Sequence, residues 1–375
     1  MSKRLIAGAM SGTSADGVDV AIVEIDGRGP DMTARLIRHV HEPYRPDLRR
    51  QIFAIREGGA AELRKLAQLA AQISQTYART VRKALAASAL APSDIVAVAA
   101  HGQTLFHEPP YTIQWIDPSL LAAQTGCAVV SDFRRADCAL GGQGAPLVPF
   151  ADYVLFRDPT VDRALVNIGG IANVTLLRAG ASIDQLIAFD TGPGNCISDY
   201  LMRTDDPGGV GVDVDGRLAA AGSVIQPLLE AALNHPFFKR LGPKSTDGPG
   251  MVRIYLDALA TLNREQSRED QLATACAITA RGIVGSIGAF EMQPTEQVIV
   301  SGGGTRNRTL MDMLRREFAN TPVRTSDEFG VPTEAKEAIA FALLGAATLD
   351  GLPSNVPSCT GARRPVTLGS ITPRP

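Results

Sequence analysis

Residues 4–27, RLIAGAMSGTSADGVDVAIVEIDG, decide the fold class. Two apolar runs flank a turn of Gly, Ser, Thr and Asp, and the second run carries Val18, Val20, Ile22 and Ile25 in the alternation of a strand. The segment therefore predicts strand, turn, strand. The plan returns in ALVNIGGIANVTLLRAG, residues 164–180, where two apolar runs flank Gly169-Gly170, and IAFDTGPGN, residues 187–195, follows as a third strand running into a Gly-rich turn. Two segments of one design form a weak internal repeat. Between them, about residues 60–90, Leu63, Leu66, Leu69, Ile73, Tyr77, Val81 and Leu85 recur at helical spacing. Beyond Asp213 the pattern predicts an amphipathic helix over 274–290, the strand VIVSGGG over 298–304, and a helix from Arg308. A buried helix over 333–349 follows, then an extended Pro-, Gly- and Ser-rich tail. Strands interleaved with helices in two similar halves imply an α/β protein of two lobes with a cleft between them. The boundaries fall at 1–140 plus 333–375 for the first lobe and 141–332 for the second.

Composition agrees. A chain of 375 residues outgrows one hydrophobic core. With 45% hydrophobic and 20% charged residues it is globular and lacks the signature of disorder. A formal net charge of -2 and no basic stripe beyond Arg363-Arg364 argue against a nucleic-acid partner. The five cysteines are scattered without a CxxC pair, so neither a zinc site nor a disulfide framework is indicated. No run approaches the roughly 18–20 apolar residues of a membrane span, and the start lacks a signal-peptide core. A cytoplasmic setting with reduced thiols is expected.

Three glycine-rich elements carry the chemistry. The turn Gly12, Thr13, Ser14, Ala15, Asp16, Gly17, Val18 and Asp19 offers backbone N–H groups and hydroxyls to a phosphate, with Ser11 beside it. Asp16 and Asp19 suit a magnesium ion; the competing reading is a plain hairpin turn in which Asp16-Gly17 takes the positive φ angles. In FDTGPGN, Asp190 closes an apolar strand ahead of Gly192 and Gly194. That is a place for a fixed general base, or for a capping aspartate. Gly302, Gly303 and Gly304 end a strand and open a helix, suited to close approach of a nucleotide. No Walker-type lysine loop occurs.

These elements, in this order, resemble the sugar kinase, Hsp70 and actin superfamily. The strings MSGTSADGVD, AAHGQTLFHEP, DFRRADCALGGQGAPLVP, NIGGIANVT, FDTGPGN, PKST and KEAIAFALLG narrow the resemblance to the anhydro-N-acetylmuramic acid kinases, over nearly the whole chain. The loop RTDDPGG, residues 203–209, departs from the family wording without touching a catalytic position. The resemblance implies a two-lobed actin-like (ribonuclease H-like) fold and the substrates ATP, with Mg2+, and anhydro-N-acetylmuramic acid. It implies hydrolytic opening of the 1,6-anhydro ring coupled to phosphorylation of O6, in peptidoglycan recycling and amino sugar catabolism. Asp190 then activates the attacking water, with Glu337 orienting water or sugar. Gly169 and Gly170 join the phosphate set, while His101, Gln103, Asp132, Arg134 and Asn173 form the sugar set.

Several of these residues keep a second reading. Asp132 and Arg134, followed by Gln143 and Gly144, fit either a sugar pocket or a buried ion pair. His101 and His107 fit metal binding or acid–base work, or loop scaffolding near the cleft. Glu337 fits the site or a solvated helix face beside Lys336, and Lys244 fits an anion contact or a surface turn. Two other functions compete with the whole assignment: a conventional N-acetylhexosamine kinase, and a non-enzymatic nucleotide switch. A homodimer is compatible with the resemblance, and nothing in the sequence pattern requires it.

Overall fold

The computed structural model describes residues 3–58, 62–205, 211–240, 244–263, 265–290 and 295–375. Most of the RTDDPGG loop, the Pro243 of PKST and the expected helix start at Ala60 lie outside them. The chain divides into two compact units, 1–156 with 182–185 and 335–375, and 157–181 with 186–334. The first crossing comes after Phe156 and not at Leu140. The Val148–Phe156 helix packs on the Lys336–Leu349 helix, and its Asp152 pairs with Lys336 at 2.8 Å, so it stays with the first unit.

Among the described residues twelve strands, numbered in chain order, build one sheet per unit. The first holds β1 (Arg4–Ser11), β2 (Gly17–Asp26), β3 (Thr33–Pro43), β4 (Ile95–Glu108), β5 (Tyr111–Trp115), β6 (Ala128–Ser131) and β12 (Ser370–Thr372), in the order β12-β6-β4-β1-β2-β3 with β5 hairpinned onto β4. The second holds β7 (Arg163–Ile168), β8 (Ile171–Leu177), β9 (Ile187–Pro193), β10 (Gln297–Ser301) and β11 (Val323–Thr325), in the order β11-β10-β7-β8-β9. In each sheet the first three strands form an antiparallel meander, and two later strands, β4 then β6 in one and β10 then β11 in the other, extend it in parallel from the free side of the first strand. The weak repeat in the sequence is thus a repeated strand order.

Both faces of the first sheet are covered, so β1 and β2 read as nearly unbroken apolar runs. Ala7, Ala9, Val18, Val20 and Ile22 pack into the core under the Leu63–Ala87 helix. On the other face the Lys336–Leu349 helix lies so close that a Cβ on Gly8 would sit 1.9 Å from Ala338 O, and one on Gly345 2.4 Å from Ala99 Cβ. In the second unit, alternate residues Ala164, Val166, Ile168, Ala172, Val174 and Phe189 face a core built on the Arg268–Gly288 helix. That helix was expected to be amphipathic. It is buried on most of its circumference, because helices pack around it.

The tail is more structured than an extended strap. It forms the Pro357–Thr360 helical turn and β12, antiparallel to β6. All five cysteines are free, and no helix among the described residues is long and apolar enough to cross a membrane.

Candidate active site

In the first unit, β1 and β2 are joined by residues 12–16. The left-handed residue there is Ala15, at φ 47°, and not Asp16-Gly17. Gly17 is needed for another reason: a Cβ would lie 2.3 Å from Glu42 O of the neighbouring β3. Gln103, fully buried on β4, braces the connection. Its Oε1 accepts from Ser11 Oγ at 2.7 Å and its Nε2 donates to Gly12 O at 3.1 Å, so the amide is engaged within the protein.

His101, two residues earlier on β4, is buried and its tautomer is set by its neighbours. Nδ1 lies 2.9 Å from Gly102 O, which calls for a proton, and Nε2 accepts from Arg134 Nε at 3.0 Å, which calls for a lone pair. The ring is therefore neutral, and burial, reinforced by the Arg134 charge, holds it well below its ordinary range. Arg134 also donates Nη1 to Gly144 O at 2.7 Å. Burial brings its pKa down to about 10 against the opposing pull of Glu337.

Asp132 does not pair with Arg134. Its Oδ1 accepts from Arg135 Nε at 2.8 Å, and its backbone sits at φ 63°, a left-handed conformation that costs a non-glycine residue of order 1–3 kcal/mol. On the Lys336–Leu349 helix the neighbours part ways. Lys336 is buried against Asp152 and over the Phe156 ring, whereas Glu337 is open to solvent. Protein crowded around the Glu337 carboxyl raises its pKa, against the attraction of Lys336 and Arg134 and together with the charges of Asp19 and Asp16.

Asp19 Oδ1 lies 2.8 Å from His39 Nε2 and 3.2 Å from His41 Nδ1, while Asp16 is exposed. His107 contacts Thr112 Oγ1 at 2.8 Å on the β4–β5 hairpin. No group of three His, Cys, Asp or Glu side chains among the described residues forms a ready metal cage.

In the second unit, Asn167, Asn173 and Asp190 stand opposite one another across β7, β8 and β9. All three are half-buried on the sheet face away from the core. Asp190 lies within β9 and not at its end, because β9 keeps pairing with β8 as far as Ile171↔Pro193. A β-bulge puts it in the row. Ala172 pairs with Gly192 and Asn173 with Asp190, leaving Thr191 as the extra residue, its Oγ1 donating to Ala172 O at 3.0 Å. In a regular register, without the bulge, Thr191 would stand opposite Asn173 and Asp190 would fall opposite Val174 on the core face.

Residues 244–246 bracket the aspartate. Its N–H donates to Lys244 O at 2.9 Å, and Thr246 N–H donates to its Oδ2 at 2.9 Å. Burial pushes the Asp190 carboxyl up to about 6, against that one hydrogen bond. Lys244 is no surface lysine: it is buried, donates to Phe237 O at 3.2 Å, and stacks over the Phe237 ring.

The candidate glycines fall into two groups. Gly192, Gly194, Gly302 and Gly304 are packing positions, where a Cβ would approach Phe238, Gly169 O, Ile168 O and Ile168 within 2.3–2.8 Å. Gly12, Gly169, Gly170 and Gly303 have room, with no described atom nearer than 3.6 Å. The open group has space beside its Cα atoms, although the Gly169 N–H and the Gly169 and Gly170 carbonyls are engaged by backbone. Asn167 was missed in the sequence; the signal was a polar side chain at the period-2 position of an otherwise apolar strand.

The family model described as "Anhydro-N-acetylmuramic acid kinase" matches residues 4–374. A protein of that name from Caldanaerobacter subterraneus subsp. tengcongensis is 38% identical over 384 residues, covering 99% of this chain and 97% of its own. One from Salinibacter ruber is 41% identical over 387 residues, covering 99% and 96%. One from Bacillus cereus is 37% identical over 378 residues, covering 98% of each.

Proposed function

The chain belongs to the anhydro-N-acetylmuramic acid kinase family, and from that premise we propose how its polar sites divide one reaction. It is a sugar kinase, a transferase with an alcohol group as acceptor. The reaction consumes 1,6-anhydro-N-acetylmuramic acid, ATP and water, and yields N-acetylmuramic acid 6-phosphate and ADP. Asp190 takes a proton from water as the water oxygen bonds to C1. The C1–O6 bond breaks, O6 takes the γ-phosphoryl group, and ADP leaves.

The observation that carries this reading is the state of Asp190. A carboxylate held by Thr246 N–H and raised to about 6 is a stronger base than a free aspartate, yet it is mostly ionised at neutral pH. Asn173 and Asn167 beside it suit the recognition of sugar hydroxyls and the acetamido group. In the first unit, Arg134, aligned by His101, suits the lactyl carboxylate. The open Gly12 and the unpaired N–H groups after it suit phosphate.

The exposed Asp16, with Glu337 electrostatically coupled to it and to Asp19, fits the oxygen ligands of Mg2+, which keeps several waters and needs few protein groups. When bound, the ion would neutralise phosphate charge. Five free cysteines and the need for ATP support a cytoplasmic setting.

The test is turnover of 1,6-anhydro-N-acetylmuramic acid with ATP and Mg2+ in oxygen-18 water, read by mass spectrometry. Label on the C1 oxygen of a 6-phosphate product is expected. Turnover restricted to unbridged N-acetylhexoses would overturn the coupled reaction.

A further inference from the structure

The backbone carbonyls between β1 and β2 are tied down almost one by one. Gly12 O accepts from Gln103 Nε2 and from Ala15 N, Thr13 O from Arg56 Nη1, Ser14 O from Arg49 Nη2 at 3.4 Å, and Asp16 O from Tyr44 N at 3.0 Å. The N–H groups of Gly12, Thr13, Ser14 and Asp16 have no partner among the described residues. A turn whose carbonyls are engaged and whose N–H groups are free is polarised toward an anion.

Both arginines come from the Pro46–Arg56 helix. Arg49, Phe53 and Arg56 share one of its faces, at spacings of four and three residues. The two guanidinium groups lie 5.2 and 5.3 Å from the centre of the Phe53 ring, within cation–π range. Neither has an acidic partner among the described residues, in contrast to Arg45, Arg79, Arg135, Arg163 and Arg178. Two unneutralised cations beside free N–H groups make a seat for more than one negative charge.

We propose that Arg49 and Arg56 are positioning residues for the β- and γ-phosphates of a nucleoside di- or triphosphate. They draw the carbonyls of Thr13 and Ser14 toward the helix, keep the N–H groups of the turn available, and contribute two positive charges. This rests on the reading of residues 12–16 as the phosphate turn. Each guanidinium has five N–H donors, and only one or two are used in the contacts above.

The experiment uses the full chain with ATP, ADP and AMP as probes, measured by calorimetry and by steady-state kinetics. The variants are Arg49→Met/Arg56→Met, Arg56→Lys and Gly12→Val; a Cβ at Gly12 meets only Ser14 Oγ, at 3.7 Å, so Gly12→Val blocks the turn without crowding the fold. The double variant is expected to weaken ATP and ADP binding about 10- to 100-fold, as loss of charge-assisted hydrogen bonds does. AMP affinity and the KM for sugar should stay unchanged. Arg56→Lys, which retains the charge and one donor, should lose only a few-fold, and it carries the test if the double variant fails to fold.

Equal weakening of AMP and ATP would reduce the arginines to a structural role and overturn the proposal. Unchanged ATP binding in the arginine variants, with Gly12→Val still impaired, would overturn it while leaving the phosphate turn intact. Unchanged ATP binding in Gly12→Val would remove the turn reading itself.

Discussion

The β1–β2 and β7–β8 connections hold the same place in two sheets of the same strand order, yet they are held in opposite ways. The first is five residues long, and side chains from elsewhere, Gln103, Arg49 and Arg56, tie its carbonyls. The second is two residues long and is tied mostly by backbone. Gly194 N and Cys196 N donate to Gly170 O at 2.9 and 3.0 Å, and Asn195 donates to Gly169 O through both its N–H and its Nδ2. A turn braced by side chains keeps room above its own backbone. A turn braced by another backbone needs glycine where the two chains meet, and a Cβ on Gly194 would sit 2.3 Å from Gly169 O. The repeated hairpin has become an open polar seat in one unit and a rigid support for the Asp190 row in the other.

The sharpest test of that contrast is Asp190→Asn. Loss of a general base should lower kcat by about 10³-fold, while the variant should melt higher than the parent at pH 8. The sign follows from linkage. A carboxyl raised to about 6 in the folded protein, against about 3.9 unfolded, favours the fold only while protonated, so it costs stability as pH rises through that window. The gain should be of order 1 kcal/mol after allowance for partial exposure, and it should vanish near pH 4. The parent's kcat/KM should fall about tenfold per pH unit below pH 6 and be flat above it. A variant that lost both activity and stability would make Asp190 a structural residue.

Next in size, Gly194→Ala should cost about 2–4 kcal/mol by urea denaturation, because a backbone carbonyl must move. Gly170→Ala, with no described atom within 4 Å, should stay within about 1 kcal/mol. Equal costs at the two positions would dissolve the distinction between supporting and open glycines. Gln103→Leu should cost about 1–3 kcal/mol by leaving Ser11 and Gly12 without their buried partner. It should raise the KM for ATP more than that for sugar; the reverse split would return Gln103 to the sugar set. Smallest of all, Gly12→Ala should leave the stability to urea within about 0.5 kcal/mol of the parent.

The hairpins, the long helix and the glycine-rich strand ends were legible in the sequence because each is written in neighbouring residues. What stayed hidden depends on contacts between distant ones. The bulge at Thr191, which turns Asp190 out of the core, is visible only in the register of β8 against β9. The left-handed Ala15 carries no glycine signal. Asp132 and Arg134 read as a pair, but Arg135 and His101 claim them. Arg49 and Arg56 look like ordinary charges on a solvated helix until the turn some forty residues earlier is folded against them.

One buried carboxylate sets an order in time. Asp137 holds the loop that carries Arg134, donated to by Gly144 N at 2.8 Å, and its other oxygen accepts from Asn355 Nδ2 and Thr360 Oγ1, both at 2.8 Å. Those two donors are made 218 and 223 residues later. While the protein is being synthesised, the loop cannot settle until residues 355–360 have left the ribosome. The loop around Arg134 therefore matures only after those donors are in place, and a chain cut short before Asn355 would leave that carboxylate buried without its partners.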